Sequence, residues 1–148
     1  MPEELIMRGK TTSGTTETLN FSGHQTTEEG YGYQLVEFQL FPSTDLATDF
    51  ELTASITAAK TAADPQSADF DQEGLIGNTI LKGAAATNYD ITQVTVINDH
   101  FVITQNLLLT VFATSGGGAP NWQCRFRKVK LTGPAQAVAN YNQSTIYD

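Results

Sequence analysis

A chain of 148 residues with one cysteine has room for a single domain and closes no internal disulfide, which excludes the stapled framework of small secreted proteins. Sixteen acidic against eight basic residues leave a net charge of −8, so the chain repels phosphate backbones and general nucleic-acid binding is not expected. The longest apolar runs, such as 107–109, fall far short of the ~20 residues of a membrane helix, and the acidic start Met1-Pro2-Glu3-Glu4-Leu5 does not read as a secretory signal.

Strands are expected first at Leu5–Lys10 and Thr16–Ser22. Tyr33–Phe41 follows, with Val36, Phe38 and Leu40 inward, Glu37 and Gln39 outward, and Pro42-Ser43-Thr44-Asp45 ending it with turn residues. Asp49–Ala58 alternates most cleanly: Phe50, Leu52, Ala54 and Ile56 share one face, and Glu51, Thr53, Ser55 and Thr57 the other. After a long loop from Lys60 to about Glu73 come strands at Leu75–Leu81, Ile91–Ile97, Phe101–Ala113 and Trp122–Leu131. Ile97-Asn98-Asp99-His100 reads as a tight turn, and Ser115-Gly116-Gly117-Gly118-Ala119-Pro120 as a hairpin loop between the two longest strands. Trp122, Cys124 and Phe126 share one parity, Val129 and Leu131 the other, which places a bulge at Arg127-Lys128. About eight short strands with no intervening helices predict an all-β antiparallel fold over 1–133: sandwich, jelly roll or barrel. Residues 134–148 form a C-terminal arm, with a short helix over Ala135–Asn140 and then an extended stretch whose Tyr141, Ile146 and Tyr147 need burial, in this sheet or in a neighbour's.

The chemistry-bearing residues are few. Asp69-Phe70-Asp71-Gln72-Glu73-Gly74 copies the opening of an EF-hand loop, but the twelfth position is Ile80 and the fifth is Glu73. A looser calcium site on Asp64, Asp69 and Asp71 stands against a solvated acidic loop; no other cofactor is implied. His24 and His100 lie beside turns, and no nucleophile elbow accompanies them. Cys124, in phase with Trp122 and Phe126, reads as a buried small hydrophobe, and paired metal-ligand spacings are lacking. Glu37 and Glu51 are candidate paired carboxylates by position alone. No catalytic residue is assigned and the chain is not expected to be an enzyme. Half of the eight basic residues lie in one stripe, Arg125, Arg127, Lys128 and Lys130. The stripe either meets the acidic segment Asp64–Glu73 of a neighbouring copy or guards a sheet edge against stray pairing. Tyr31, Tyr33 and Tyr89 are candidates for stacking on sugar rings.

Three segments carry a resemblance: YQLVEFQLFPST at 33–44, VINDHFVITQNLLLTVFA at 96–113, and NWQCRFRKVKL at 121–131 with AVANYNQ at 137–143. In these the chain resembles small structural proteins of marine bacterial viruses. The resemblance implies a jelly-roll-like β-sandwich, present in many copies in the virion as a capsid or capsid-associated subunit. Its partners would be other copies of itself and other virion proteins, with no membrane or nucleic acid. The alternative is a carbohydrate- or receptor-binding module of the same fold.

Overall fold

The computed structural model describes residues 4–21, 31–43, 49–59, 61–84, 90–115, 119–130, 134 and 138–139. Eight strands account for most of these: β1 (Glu4–Lys10), β2 (Thr16–Leu19), β3 (Tyr31–Phe41), β4 (Phe50–Thr57), β5 (Leu75–Ala84), β6 (Asp90–Ile97), β7 (Leu107–Ser115) and β8 (Asn121–Lys130). They form two antiparallel sheets, a three-stranded one in the order β1-β8-β3 and a five-stranded one in the order β2-β7-β4-β5-β6. The chain is therefore an all-β sandwich, as the period-two alternation requires. Pro134, Val138 and Ala139 have helical backbone, and the rest of the stretch expected to be helical lies outside the described residues; no described helix is long and apolar enough to cross a membrane.

The pairing is nested. β1 pairs with β8, β2 with β7 and β4 with β5, each antiparallel, so the chain is rolled up as a doubled ribbon, which is the jelly-roll plan. The fourth nested pair, β3 with β6, departs from that plan. β6 stays hydrogen-bonded to β5, and its approach to β3 is marked by Thr95 Oγ1, 3.5 Å from the Phe38 carbonyl. The sandwich is thus open on that side, leaving a cleft of about 370 Å³ between 36–39 of β3 and Gln93, Thr95 and Ile97 of β6.

Inward rows from both sheets build the core. Across the three-stranded sheet these are Leu5–Phe126–Leu35, Met7–Cys124–Phe38 and Gly9–Trp122–Leu40. The inward row of β4 is the expected Phe50, Leu52, Ala54 and Ile56, all buried. Phe21 joins the sheets: its ring meets Phe126 edge-on at 5.0 Å and Tyr33 at 5.6 Å, while its N–H donates to Asn106 Oδ1 at 2.9 Å. Trp122 satisfies its indole by donating to Thr11 Oγ1 at 2.8 Å, so the ring is buried without an orphaned donor.

Three local expectations need correction. The bulge lies on β3, between Leu35 and Glu37, and not at Arg127-Lys128 of β8. The extra residue Val36 shifts the parity of β3, so Tyr33 and Leu35 point inward before it and Phe38 and Leu40 after it. The glycine loop at 115–120 makes no hairpin, because β7 and β8 belong to different sheets. The turn at Asn98–His100 likewise leads into no immediate strand. Phe101–Asn106 links β6 to β7 of the same sheet by way of β3, with Ile103 and Tyr33 exchanging backbone hydrogen bonds at 2.6 and 3.0 Å, and β7 starts only at Leu107.

The loop after β4 is a lid on the five-stranded sheet. Ser55 Oγ donates to the Ala63 carbonyl and the Ala63 N–H donates to Thr57 Oγ1, both at 2.9 Å. Ser55 and Thr57 are consequently buried, although their alternation reads as solvent-facing.

Candidate functional site

The outer face of the three-stranded sheet carries Glu37, Arg125 and Arg127 of the side chains singled out above. Ladder register sets this face in four rows: Glu4–Arg127–Gln34, Ile6–Arg125–Glu37, Arg8–Gln123–Gln39 and Lys10–Asn121–Phe41. The first two rows are closed on themselves. Arg125 donates to Glu37 Oε2 at 2.9 Å and to Glu4 Oε1 at 3.1 Å, tying all three strands together. The hydrogen bond to Glu37, then that to Glu4, holds its guanidinium above the ordinary pKa. Arg127 donates to Gln34 Oε1 at 2.6 Å, and the Lys128 ammonium sits 4.2 Å from the centre of the Tyr31 ring. Three members of the Arg125–Lys130 stripe are therefore engaged within their own chain. Tyr31 gives its face to Lys128 rather than leaving it open to a sugar, and Tyr33 is buried in the core.

The last two rows are different. Arg8 and Lys10 form no ion pair with a described residue, and with Gln39, Phe41, Asn121 and Gln123 they line a concavity of about 680 Å³ at one end of the sheet. Sequence reasoning missed this cluster. Its signal was present in the outward parity of β1 and β8, but the rows exist only once the register is known.

The other candidates do not converge. Glu37 lies on the three-stranded sheet and Glu51 on the five-stranded sheet, where Lys82 pairs with it at 3.6 Å. The carboxylates of Asp64 and Asp69 turn back on their own loop, accepting from the backbone N–H of Gln66 at 2.9 Å and of Asp71 at 3.0 Å. Among the described residues no three His, Cys, Asp or Glu side chains come close enough to hold a metal ion. His100 is exposed with Asp99 3.7 Å away. Tyr141, Ile146, Tyr147, His24 and Tyr89 lie outside the described residues.

Cys124 is fully buried between Met7 and Phe38, and burial pushes its thiol up far beyond the ordinary range. The folded chain keeps the proton at a pH where the unfolded chain has released it. The raised pKa therefore stabilises fully below about pH 8.5, and that stability is lost as pH rises further. Between pH 9 and 10.5 unfolding free energy is expected to fall about 1.4 kcal/mol per unit more steeply than in Cys124→Ala. Equal slopes in urea titrations of the two proteins would show that the thiol ionises in the native state.

Two sheet features point outward on the opposite side. Strand β6 is the edge of the five-stranded sheet, and Ile91, Val94 and Val96 are 56%, 56% and 48% exposed. Phe70 of the lid loop and Ile80 of β5 are exposed as well, and Ile80 is the ladder partner of Val94.

No family model matches the chain, and no curated protein matches it. Among solved structures, a chain of turnip yellow mosaic virus aligns with a TM-score of 0.38 at 12% identity, covering 86% of this chain and 93% of that one.

Proposed function

We propose that the chain is a structural subunit of a bacterial virus particle, a capsid or capsid-associated protein that docks on its neighbours by strand addition at β6. The observation that carries this reading is the state of the sheet edges. β1 bears Glu4, Arg8 and Lys10, β2 is only four residues long, and β3 is interrupted by its bulge and by the Ile103 bridge. Each of these is a device that discourages unwanted pairing. β6 carries a single charge, Asp90 at its first position; its residues 91–97 (ITQVTVI) contain no charge, no proline and no glycine, and the strand pairs with β5 without a bulge. A β-prone edge that is uncharged beyond its first residue, with exposed valine and isoleucine, is suited to receiving another strand, whose main-chain hydrogen bonds give affinity. In a chain of net charge −8 it is also a neutral stretch where like-charged copies approach with least repulsion. The jelly-roll pairing and the resemblance noted above support a virion role, and the segment with Tyr141, Ile146 and Tyr147, which lies outside the described residues, is the candidate for docking on that edge.

Light scattering over a concentration series tests this. The intact chain is expected to give a closed oligomer, Val94→Lys a monomer of unchanged melting temperature, and removal of 140–148 a folded monomer. An intact chain that stays monomeric at every concentration, alone, would remove self-association from the reading. Assembly that survives removal of 140–148 but not Val94→Lys would assign the contact to β6 pairing with its own copy.

A further inference from the structure

We propose that the concavity lined by Arg8, Lys10, Gln39, Phe41, Asn121 and Gln123 binds an acidic saccharide, a pyranose bearing a carboxylate. This site is independent of the β6 edge: it lies on the other sheet. Its volume, about 680 Å³, falls in the range of small-ligand sites. The register fixes its layout as two rows of three, Arg8–Gln123–Gln39 and Lys10–Asn121–Phe41. Rows two residues apart are separated by about 7 Å along the strands and adjacent strands by about 4.8 Å, so the six side chains frame an area of one or two sugar rings.

Each group has a part in recognition. Arg8 and Lys10 stand side by side on β1 as the cationic border, and neither is neutralised by a described carboxylate. That contrasts with Arg125 on the same face, whose charge is taken up by Glu4 and Glu37. Gln39, Asn121 and Gln123 are amides that both donate and accept, the pattern that matches vicinal hydroxyls. Phe41 is 63% exposed at the end of β3, opposite Lys10 across β8, and offers an apolar face to the C–H side of a pyranose. An exposed phenylalanine beside these two cations has no role in the core, where Phe21, Phe38 and Phe126 already pack.

A polyanion such as nucleic acid is disfavoured by the same layout. Among the described residues only two cations without an ion pair border the site, Arg127 and Arg125 beyond it are already engaged, and Glu4 lies further along the same face. The combination of one anionic position, several hydroxyl-matching amides and one stacking ring fits a single carboxylated sugar better than a chain of phosphates.

Calorimetric titration of the intact protein with sialyllactose, a glucuronate-terminated disaccharide and neutral lactose tests the proposal. Saturable binding of at least one acidic sugar is expected, weakened by salt, with lactose bound at least about tenfold more weakly. Arg8→Gln with Lys10→Gln is expected to lower affinity about tenfold or more, the scale of lost charge-assisted hydrogen bonds. Phe41→Ala should lower it several-fold for acidic and neutral sugars alike. All three positions are exposed, so melting temperatures should not change. Val94→Lys should bind as the parent does, which separates this site from the assembly surface. No saturable binding of either acidic sugar at millimolar concentration would overturn the proposal, as would binding that the Arg8, Lys10 and Phe41 variants leave unchanged.

Discussion

Phe126→Ala is expected to cost about 4 kcal/mol of unfolding free energy, the upper range for deleting a buried aromatic. Phe126 is completely buried on the central strand of the three-stranded sheet, flanked across the ladder by Leu5 and Leu35. Its ring is also the one that Phe21 meets edge-on at 5.0 Å, so its loss removes an aromatic contact between the two layers as well as apolar area. Domains of this size are stable by roughly 5–15 kcal/mol, so the variant would lose about a quarter of the total or more. Urea unfolding followed by tryptophan fluorescence measures this, because Trp122 lies on the same buried row of β8. A loss below about 1 kcal/mol would mean that the site collapses to fill the space, and that the interior is looser than its burial indicates.

Gly83→Val should be nearly as damaging, for the opposite reason. Gly83 faces Phe50 directly across the β4–β5 ladder, and a Cβ there would run into the Phe50 ring, which lies over the glycine. Gly9 and Trp122 repeat the arrangement in the other sheet, where a Cβ on Gly9 would come within 2.8 Å of Trp122 Cζ2. Neither glycine has an unusual backbone angle, so what these positions provide is space for the aromatic opposite. Valine at 83 must displace a buried ring, and a loss of about 2–3 kcal/mol is expected from overpacking. In a Phe50→Leu background the same change should cost less, and the difference, read from a double-mutant cycle, isolates the ring-on-glycine contact. Additive effects would place the strain elsewhere.

The strands were legible because most are half-buried, and half-burial writes itself as alternation. β4 shows this most plainly: Phe50, Leu52, Ala54 and Ile56 are the inward row in both the pattern and the structure. The failures arise where a second structural level intervenes. Val36 looked inward because alternation assumes an unbroken ladder, and a bulge resets parity without leaving a distinctive residue behind. Ser55 and Thr57 looked solvent-facing because no local pattern records a loop returning to cover them. The hairpin expected at the glycine loop failed since loop composition reports flexibility and not which sheet the next strand joins. The basic stripe was visible as a cluster, but its partners Glu4, Glu37, Gln34 and Tyr31 come from two other strands. For the same reason the saccharide concavity, assembled from β1, β3 and β8, has no linear signature.

The placement of β8 between β1 and β3 has a consequence for synthesis. On a ribosome β1 and β3 emerge early, yet the strand that pairs with both is the last of the eight, so Leu5 and Leu35 wait for Phe126. Until then the first layer exists only as unpaired segments with their backbone groups in water, while β4 and β5 can already meet across the loop 58–74. Such dependence on distant partners makes formation of the native state slow, on the millisecond-to-second scale typical of sandwiches. It also means that the concavity on the three-stranded sheet takes shape only once β8 has joined β1 and β3.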